Sequence, residues 1–286
     1  AEIAMYQAKQ AGGNIYRFFD AAMNSEASEH LSLRNGLRRA QERGELALHY
    51  QPQIDLGRGT VVGVEALLRW RHPERGMIPP ARFIPVAEDS GLIVPIGVWV
   101  LREACRQAVE WQRMGLPAMT MAVNLSAVQF KRGDVEQSVL RALEESGLDP
   151  RLLELELTES ILIQNAEGVL ASLKRLKQIG VKLSIDDFGT GYSSLSYLKR
   201  FDIDKLKIDQ SFVRELCTNA DDAAIVRAVV QMARSLSLKT IAEGVETAEM
   251  AQALLASGCD EAQGYHYGRP MPPEELSAFS QRAVPV

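Results

Sequence analysis

The strongest constraint on the fold is the alternation of strand-like and helix-like segments from Leu46 onward. Helix-like stretches such as residues 98–114 and 225–236, whose apolar residues recur at helical spacing, separate most of the strand-like ones. Only residues 55–60 separate the first two strand-like segments, which predicts a hairpin. The predicted strands are residues 46–54, 61–68, 120–125, 152–157, 181–185, 205–208, 239–242 and 261–263. Eight strands, most of them followed by helices, predict an α/β fold: a TIM-like (β/α)8 barrel with an irregular start.

Polar side chains recur where the predicted strands end, and barrels of this kind carry their chemistry at those ends. The candidates are Glu65, Asn124, Glu156, Asp186, Asp187, Lys207, Glu243 and Gln263. Five of them are acids and one is a lysine, so the carboxylates cannot all be neutralised within the set. Oxygen ligands without histidine or cysteine suit magnesium or manganese rather than zinc. The reaction class that this set favours is two-metal hydrolysis of a phosphate ester.

The adjacent acids Asp186 and Asp187 are not diagnostic by themselves. The pair Asp221-Asp222 precedes an amphipathic helix, where it is explained as an N-cap and first-turn acid that complements the helix dipole. Asp186-Asp187 differs because a predicted strand precedes it and a glycine loop follows it. The pair alone leaves a metal or catalytic site and a solvated turn as open alternatives.

Composition excludes several classes of function. The formal net charge of -5 argues against a broad surface for nucleic-acid polymers or anionic membranes. Cys105, Cys217 and Cys259 are far apart, which indicates a reducing compartment and hence a cytoplasmic location. The longest apolar run, residues 92–101, is too short to cross a bilayer, so no membrane contact is expected from this chain itself.

An ordered series of motifs resembles the EAL family of cyclic di-GMP phosphodiesterases. Glu65 opens the tripeptide EAL in GVEALLRWRHP, and the series runs through YQP (50–52), NLS (124–126), ELTES (156–160), DDFGTGYSSL (186–195), LKID (206–209), AEGVE (242–246) and QGY (263–265). The tripeptide alone is frequent by chance, whereas the ordered series is specific. The resemblance implies a barrel whose first strand is antiparallel to the others, in agreement with the predicted hairpin.

The resemblance also implies roles for individual residues. It assigns two Mg²⁺ or Mn²⁺ ions to Glu65, Asn124, Glu156, Asp186, Asp187 and Glu243, with Asp186 bridging the ions. Catalysis would involve Glu65, Lys207 and Glu243, with Lys207 beside the attacking water. Substrate would contact Gln51, Arg69, Asp187 and Gln263, and supporting roles fall to Glu159, Glu246, Gly189, Thr190 and Gly191. For Glu159, a first-turn helix acid is an almost equal alternative.

The domain organisation predicted from the sequence has three parts. Residues 1–22 resemble the C-terminal end of a GGDEF domain, residues 23–45 are assigned as a helical linker, and residues 46–286 as the EAL domain. The resemblance also implies a homodimer, with residues 188–194 linking dimer contacts to the site. The predicted activity is hydrolysis of cyclic di-GMP to linear pGpG. A catalytically silent cyclic di-GMP receptor that signals through its linker is the alternative. A barrel glycosidase with two working carboxylates would not explain five acids, an asparagine and a lysine at separate strand ends.

Overall fold

A computed structural model describes residues 21–159, 161, 166–189 and 201–279. The chain divides into two compact units, one of Ala1–Ala47 with Arg69–Ile93 and one of Leu48–Leu68 with Val94–Val286. The larger unit contains the pairings that close a barrel. The GGDEF-like assignment falls almost wholly on residues 1–20, which lie outside the described residues.

The barrel consists of eight strands closed into a ring. The strands are β1 (Leu46–Asp55), β2 (Thr60–His72), β4 (Thr120–Leu125), β5 (Leu153–Thr158), β6 (Lys182–Phe188), β7 (Lys205–Ile208), β8 (Lys239–Ala242) and β9 (Glu261–Ala262), with a short β3 (Gly76–Ile78) beside the end of β2. β1 pairs with both β9 and β2, which closes the ring. The β1–β9 pairing is antiparallel, whereas β2 and β4 to β9 pair in parallel. The predicted barrel and its antiparallel first strand are therefore confirmed.

The side chain of Asp55 stabilises the turn of the hairpin between β1 and β2. Its Oδ1 accepts hydrogen bonds from the backbone N–H groups of Gly57 (3.0 Å) and Arg58 (2.9 Å). Gly59 adopts a positive φ of 63°, which glycine tolerates without steric cost. The turn thus reverses the chain over a few residues, and this reversal makes β1 the antiparallel strand.

One strand end differs from the prediction. Strand β6 does not end at Ile185 but continues to Phe188, with a shift of register between these two residues. Asp187 lies in this irregularity with a positive φ of 55°, which is uncommon for a residue other than glycine. The two aspartates therefore lie within a bulged strand end instead of directly after the strand.

Helices follow most strands of the larger unit. In the described part of the chain they are α3 (Ile93–Arg113), α4 (Ala127–Arg132), α5 (Val135–Ser146), α6 (Ala166–Ile179), α7 (Gln210–Arg214), α8 (Ala220–Ser235), α9 (Ala248–Ser257) and α10 (Pro273–Phe279), with a 3-10 turn at Pro150–Leu152. Helix α3 begins earlier than the predicted residue 98, because Pro95 falls in its first turn, where a missing N–H is tolerated. Leu101, Cys105, Ala108 and Trp111 of the predicted stripe are all buried.

The start of α8 corrects one assignment. Asn219, not Asp221, is the N-cap, and its side chain accepts a hydrogen bond from the Asp221 backbone N–H. Asp221 and Asp222 both lie in the first turn, as the dipole argument expects.

Within its described residues, from Ala21 onward, the smaller unit contains the helices α1 (Ala21–Ala40) and α2 (Pro80–Ser90). Leu33 and Leu37 on α1 and Phe83 on α2 are buried, and Trp70 donates from Nε1 to Glu45 Oε2 at 3.1 Å. Helix α1 covers most of residues 23–45, the segment assigned as a linker. In the described part of the chain, no helix has the length and apolarity needed to cross a membrane.

Candidate active site

The centre of the candidate site is the ammonium group of Lys207, which is 1% exposed. Its Nζ lies 2.5 Å from Glu156 Oε2 and 2.6 Å from Glu243 Oε1. Asp186 Oδ1 is 3.0 Å away and Glu65 Oε1 is 3.9 Å away. The structure thus brings together four predicted site acids and the predicted lysine, which come from five different strands or strand ends.

Strand alternation explains this convergence. In β5, Leu153, Leu155 and Leu157 are buried on one face, so Glu154 and Glu156 point to the other. The register aligns Glu156 with Asn124 on β4. Parallel strands place their carboxyl ends at one edge, so polar residues near those ends meet at one mouth of the barrel.

Amide side chains hold the carboxylate of Glu65. Asn124 Nδ2 donates to Glu65 Oε1 at 2.6 Å, and Gln263 Nε2 donates to Glu65 Oε2 at 2.5 Å. Gln263 Nε2 also donates to Gln51 Oε1 at 3.0 Å. Three further predicted residues therefore lie around Glu65, and both oxygens of that carboxylate accept hydrogen bonds.

The members of the cluster differ in the direction and cause of their pKa shifts. Burial raises the pKa of Glu156 well above its usual value, and the neighbouring Glu65 charge adds to the effect. Burial raises the pKa of Glu243 to about 7 against the opposing influence of Lys207. Burial would also raise the pKa of Glu65, but Lys207 and the amide hydrogen bonds lower it overall. Burial opposes the charge of Lys207, yet the surrounding carboxylates raise the pKa of this lysine well above its usual value.

Asp187 occupies a different position from Asp186. It is exposed, and its backbone N–H donates to Asp186 Oδ1 at 3.0 Å. Partial burial and the nearby charges of Asp186 and Asp209 raise the pKa of Asp187. The bulge therefore directs one aspartate to Lys207 and leaves the next near the surface.

A cavity of about 270 Å³ opens onto these residues. Its lining includes the predicted residues Gln51, Glu65, Asp186, Lys207, Glu243, Glu246 and Gln263. Six further lining residues were given no role in the sequence analysis: Leu67, Gln210, Arg214, Gly244, Gly264 and Tyr265. Arg214 Nη2 donates to Gln210 Oε1 at 3.0 Å, and the Arg269 guanidinium lies 4.1 Å from the centre of the Tyr265 ring. The position of Arg214 on the helix directly after β7 could have indicated its place.

Some predicted residues are not part of this constellation. Glu159 directly follows β5 and does not line the cavity. Arg69 lies on β2 in the smaller unit, four residues beyond Glu65. Gly189 follows β6 with a φ of 101°, while Thr190 and Gly191 lie outside the described residues.

A second charged layer inside the barrel was not predicted as such. Lys205 Nζ lies 3.0 Å from Glu154 Oε2 and 2.8 Å from Glu261 Oε2. Lys239 Nζ reaches Glu261 Oε1 at 3.0 Å. Lys205 and Lys207 alternate on β7, as Glu154 and Glu156 do on β5. The barrel interior therefore contains two charged layers, an upper layer around Lys207 and a lower layer around Lys205.

The donor chemistry of the upper layer fits divalent metal ions. Within residues 21–159, 161, 166–189 and 201–279, no three Asp, Glu, His or Cys side chains surround one point as ligands, and Lys207 Nζ takes the point of convergence. The set nevertheless supplies hard oxygen donors almost exclusively. Glu156 Oε1 is buried with no hydrogen-bond partner among the described residues, so it is available as a ligand.

The antiparallel first strand and the acidic mouth centred on a lysine together define a TIM-like barrel of the EAL type. The chain belongs to the EAL domain family, which matches residues 34–270.

Named relatives agree with this family. The chain is 51% identical over 278 residues to the bifunctional diguanylate cyclase/cyclic di-GMP phosphodiesterase MucR of Pseudomonas aeruginosa, a match that covers 97% of this chain and 41% of MucR. It is 44% identical over 282 residues to the cyclic di-GMP phosphodiesterase PdeR of Escherichia coli, covering 99% of this chain and 42% of PdeR. The chain thus spans about two fifths of the length of these relatives.

A solved structure, described as the PaMucR phosphodiesterase in complex with c-di-GMP, has the same fold. It matches with a TM-score of 0.83 and 51% identity, over 86% of this chain and 99% of that chain.

Proposed function

We propose that this chain hydrolyses cyclic di-GMP to linear pGpG and thereby lowers the level of this second messenger. The observation that carries the proposal is the group of four carboxylates around Lys207 at the mouth of an EAL barrel. The names of the relatives and the c-di-GMP bound in the PaMucR structure support the same substrate.

We assign the metal site to the oxygen-bearing residues of the upper layer. EAL phosphodiesterases depend on metal in general, and Mg²⁺ or Mn²⁺ suits an oxygen donor set. The residues that would hold two ions are Glu65, Asn124, Glu156, Asp186, Asp187 and Glu243. When bound, such ions polarise a phosphodiester and lower the pKa of water for attack. The amide of Asn124 would present its oxygen instead of its nitrogen, a rotation that interchanges two similar groups.

The protein groups have distinct tasks in the proposed reaction. Water adds to phosphorus, the bond from phosphorus to the departing ribose oxygen breaks, and that oxygen takes up a proton. Lys207, kept protonated by its carboxylate neighbours, donates hydrogen bonds where negative charge develops. Gln263 donates a hydrogen bond to Glu65 Oε2 and holds this carboxylate in position.

The outer cavity wall suits a purine. Tyr265 is 52% exposed, and the Arg269 guanidinium covers one face of its ring. Aromatic rings stack on nucleobases, and arginine pairs with phosphate oxygens or with the edge of guanine. We therefore assign Tyr265 and Arg214 to substrate binding, together with the predicted Gln51, which lines the same cavity. The substrate role of Arg69 stays a prediction.

The test is incubation of the purified chain with cyclic di-GMP in magnesium, manganese, calcium or EDTA, with the products separated by chromatography. Linear pGpG should appear with magnesium or manganese and be absent in EDTA. The isosteric variant Glu65→Gln should yield no product under any of these conditions. Binding of cyclic di-GMP that persists in EDTA, with no linear product in any metal, would instead identify a receptor.

The homodimer, the three-part domain organisation and the roles of Glu159, Glu246 and residues 188–194 remain predictions. Sedimentation of the purified chain with and without cyclic di-GMP tests the homodimer directly.

A further inference from the structure

We propose that Gln53 is a positioning residue that sets the amide orientation of Gln263 and, through it, the carboxylate of Glu65. Gln53 lies on β1 and is fully buried. The inference rests on the proposed function for its kinetic readout but not for its structural one.

The contacts form one continuous chain of hydrogen bonds. Gln53 Nε2 donates to Gln263 Oε1 at 3.1 Å. Gln263 Nε2 donates onward to Glu65 Oε2 at 2.5 Å and to Gln51 Oε1 at 3.0 Å. Gln51 Nε2 in turn donates to the carbonyl oxygen of Gly268 at 3.0 Å.

The two ends of this chain of hydrogen bonds fix which amide group donates at each step. An ionised carboxylate and a backbone carbonyl can only accept hydrogen bonds, so Gln263 must turn its NH₂ to Glu65 and Gln51 must turn its NH₂ to Gly268. The oxygen of Gln263 then faces Gln53. A donor is required at that point, and the amide of Gln53 supplies it.

A role in packing alone does not explain an amide at this position. Gln53 Oε1 is buried with no hydrogen-bond partner among the described residues, which is unfavourable for a polar atom. An apolar side chain of similar length would fill the space without this cost. Residue 63 is a glycine, and a Cβ added there would lie 2.7 Å from Gln53 Oε1. The absence of a side chain at this position therefore leaves room for the amide of Gln53.

Loss of the donor would weaken the orientation of Gln263. Its oxygen would have no partner in the present arrangement, and the reversed amide would place that oxygen against the acceptor Glu65 Oε2. In either arrangement, the hydrogen bond that positions the carboxylate of Glu65 is weaker or lost. The site would keep its composition and lose part of its preorganisation.

The experiment compares Gln53→Met with Gln107→Met. Gln107 is also a buried amide, at 7% exposure, but it lies on α3 and does not line the cavity. We expect kcat to fall about tenfold in Gln53→Met with little change in KM, and to stay within about twofold in Gln107→Met. Gln53→Leu replaces Gln53→Met if the methionine variant does not fold.

A second measurement is independent of activity. In protein labelled with ¹⁵N at glutamine, the side-chain amide signal of Gln263 is identified by its loss in Gln263→Met. Its hydrogen exchange should be at least about tenfold faster in Gln53→Met than in the wild type. Unchanged exchange would overturn the inference even if the wild type proved not to hydrolyse cyclic di-GMP.

The double variant tests whether Gln53 acts through Gln263. If it does, adding Gln53→Met to Gln263→Met should cause no further loss of kcat, because the interaction is already absent. Additive losses in kcat would overturn the proposal, since they would show that Gln53 acts by another route.

Discussion

At the scale of single residues, the site is governed by an imbalance of charge. Four buried or half-buried carboxylates surround one ammonium group, and Glu156 and Glu243 have a raised pKa because burial disfavours their charges. Any change that removes positive charge from this point increases the repulsion. Lys207 therefore contributes to stability as well as to the proposed catalysis.

Lys207→Met should separate these two contributions. In EDTA we expect the unfolding free energy to fall by about 3–5 kcal/mol, because the variant leaves buried carboxylates without their partner. Saturating magnesium should restore part of this loss but not kcat, which should remain about 100- to 1,000-fold lower. Denaturant unfolding and product chromatography measure the two quantities.

Lys239→Met is the matched control for this prediction. Lys239 also pairs with a carboxylate, but its side chain is 61% exposed, so its loss should cost no more than about 1 kcal/mol. Equal losses in the two variants would show that the burial of Lys207 has no special effect.

Tyr265 provides a prediction about recognition instead of chemistry. Tyr265→Ala should raise KM for cyclic di-GMP about tenfold or more, because base stacking on an aromatic ring contributes about 1–3 kcal/mol. Tyr265→Phe should retain the wild-type KM. Hydrolysis of bis(p-nitrophenyl) phosphate, which has no purine, should be unaffected by either variant. A fall in both reactions would contradict a role limited to the base.

At the scale of secondary structure, the sequence predicted the positions of the barrel strands better than their irregularities. All eight barrel strands could be predicted, because apolar residues mark their buried faces and helices separate them. The three-residue β3 was missed, since so short a strand has no periodicity. The bulge at Asp187 was also missed, because it depends on pairing with β7.

The same limit applies to the candidate site. The upper-layer residues were found because strand ends and motifs identify them. Gln53 and the lower charged layer were not found, because they depend on contacts between barrel strands that no local pattern reveals. Arg214 was missed although its position on the helix directly after β7 offered a signal.

The lower layer gives a prediction of its own. Lys205→Met should reduce the unfolding free energy by about 3–5 kcal/mol, since Glu154 would remain buried without a cation. Adding Glu154→Leu should recover most of this loss, while Glu261 keeps Lys239 as its partner. Because neither residue lines the cavity, kcat should stay within about twofold of the wild type in the folded double variant. A large fall in kcat would show that the lower layer supports the site.

At the scale of the whole molecule, these layers make stability depend on ions. The apolar residues of the strands lie on the alternate positions, such as Leu155, Leu183 and Leu206, so the barrel interior itself contains the charges. A divalent ion that binds the folded barrel and not the unfolded chain would relieve the repulsion among the upper carboxylates.

Metal should therefore raise the melting temperature of the wild type. At a concentration of about 100 times the dissociation constant, magnesium or manganese should add about 2.7 kcal/mol to the unfolding free energy. For a chain of this size, that gain corresponds to roughly 5–10 °C. Gln107→Met should show the full shift, because its amide lies away from the cavity. Glu65→Gln should show little or none, since the neutral amide removes one charged ligand from the set. A full shift in Glu65→Gln, measured by scanning calorimetry, would place the ion elsewhere in the protein and contradict the assigned metal site.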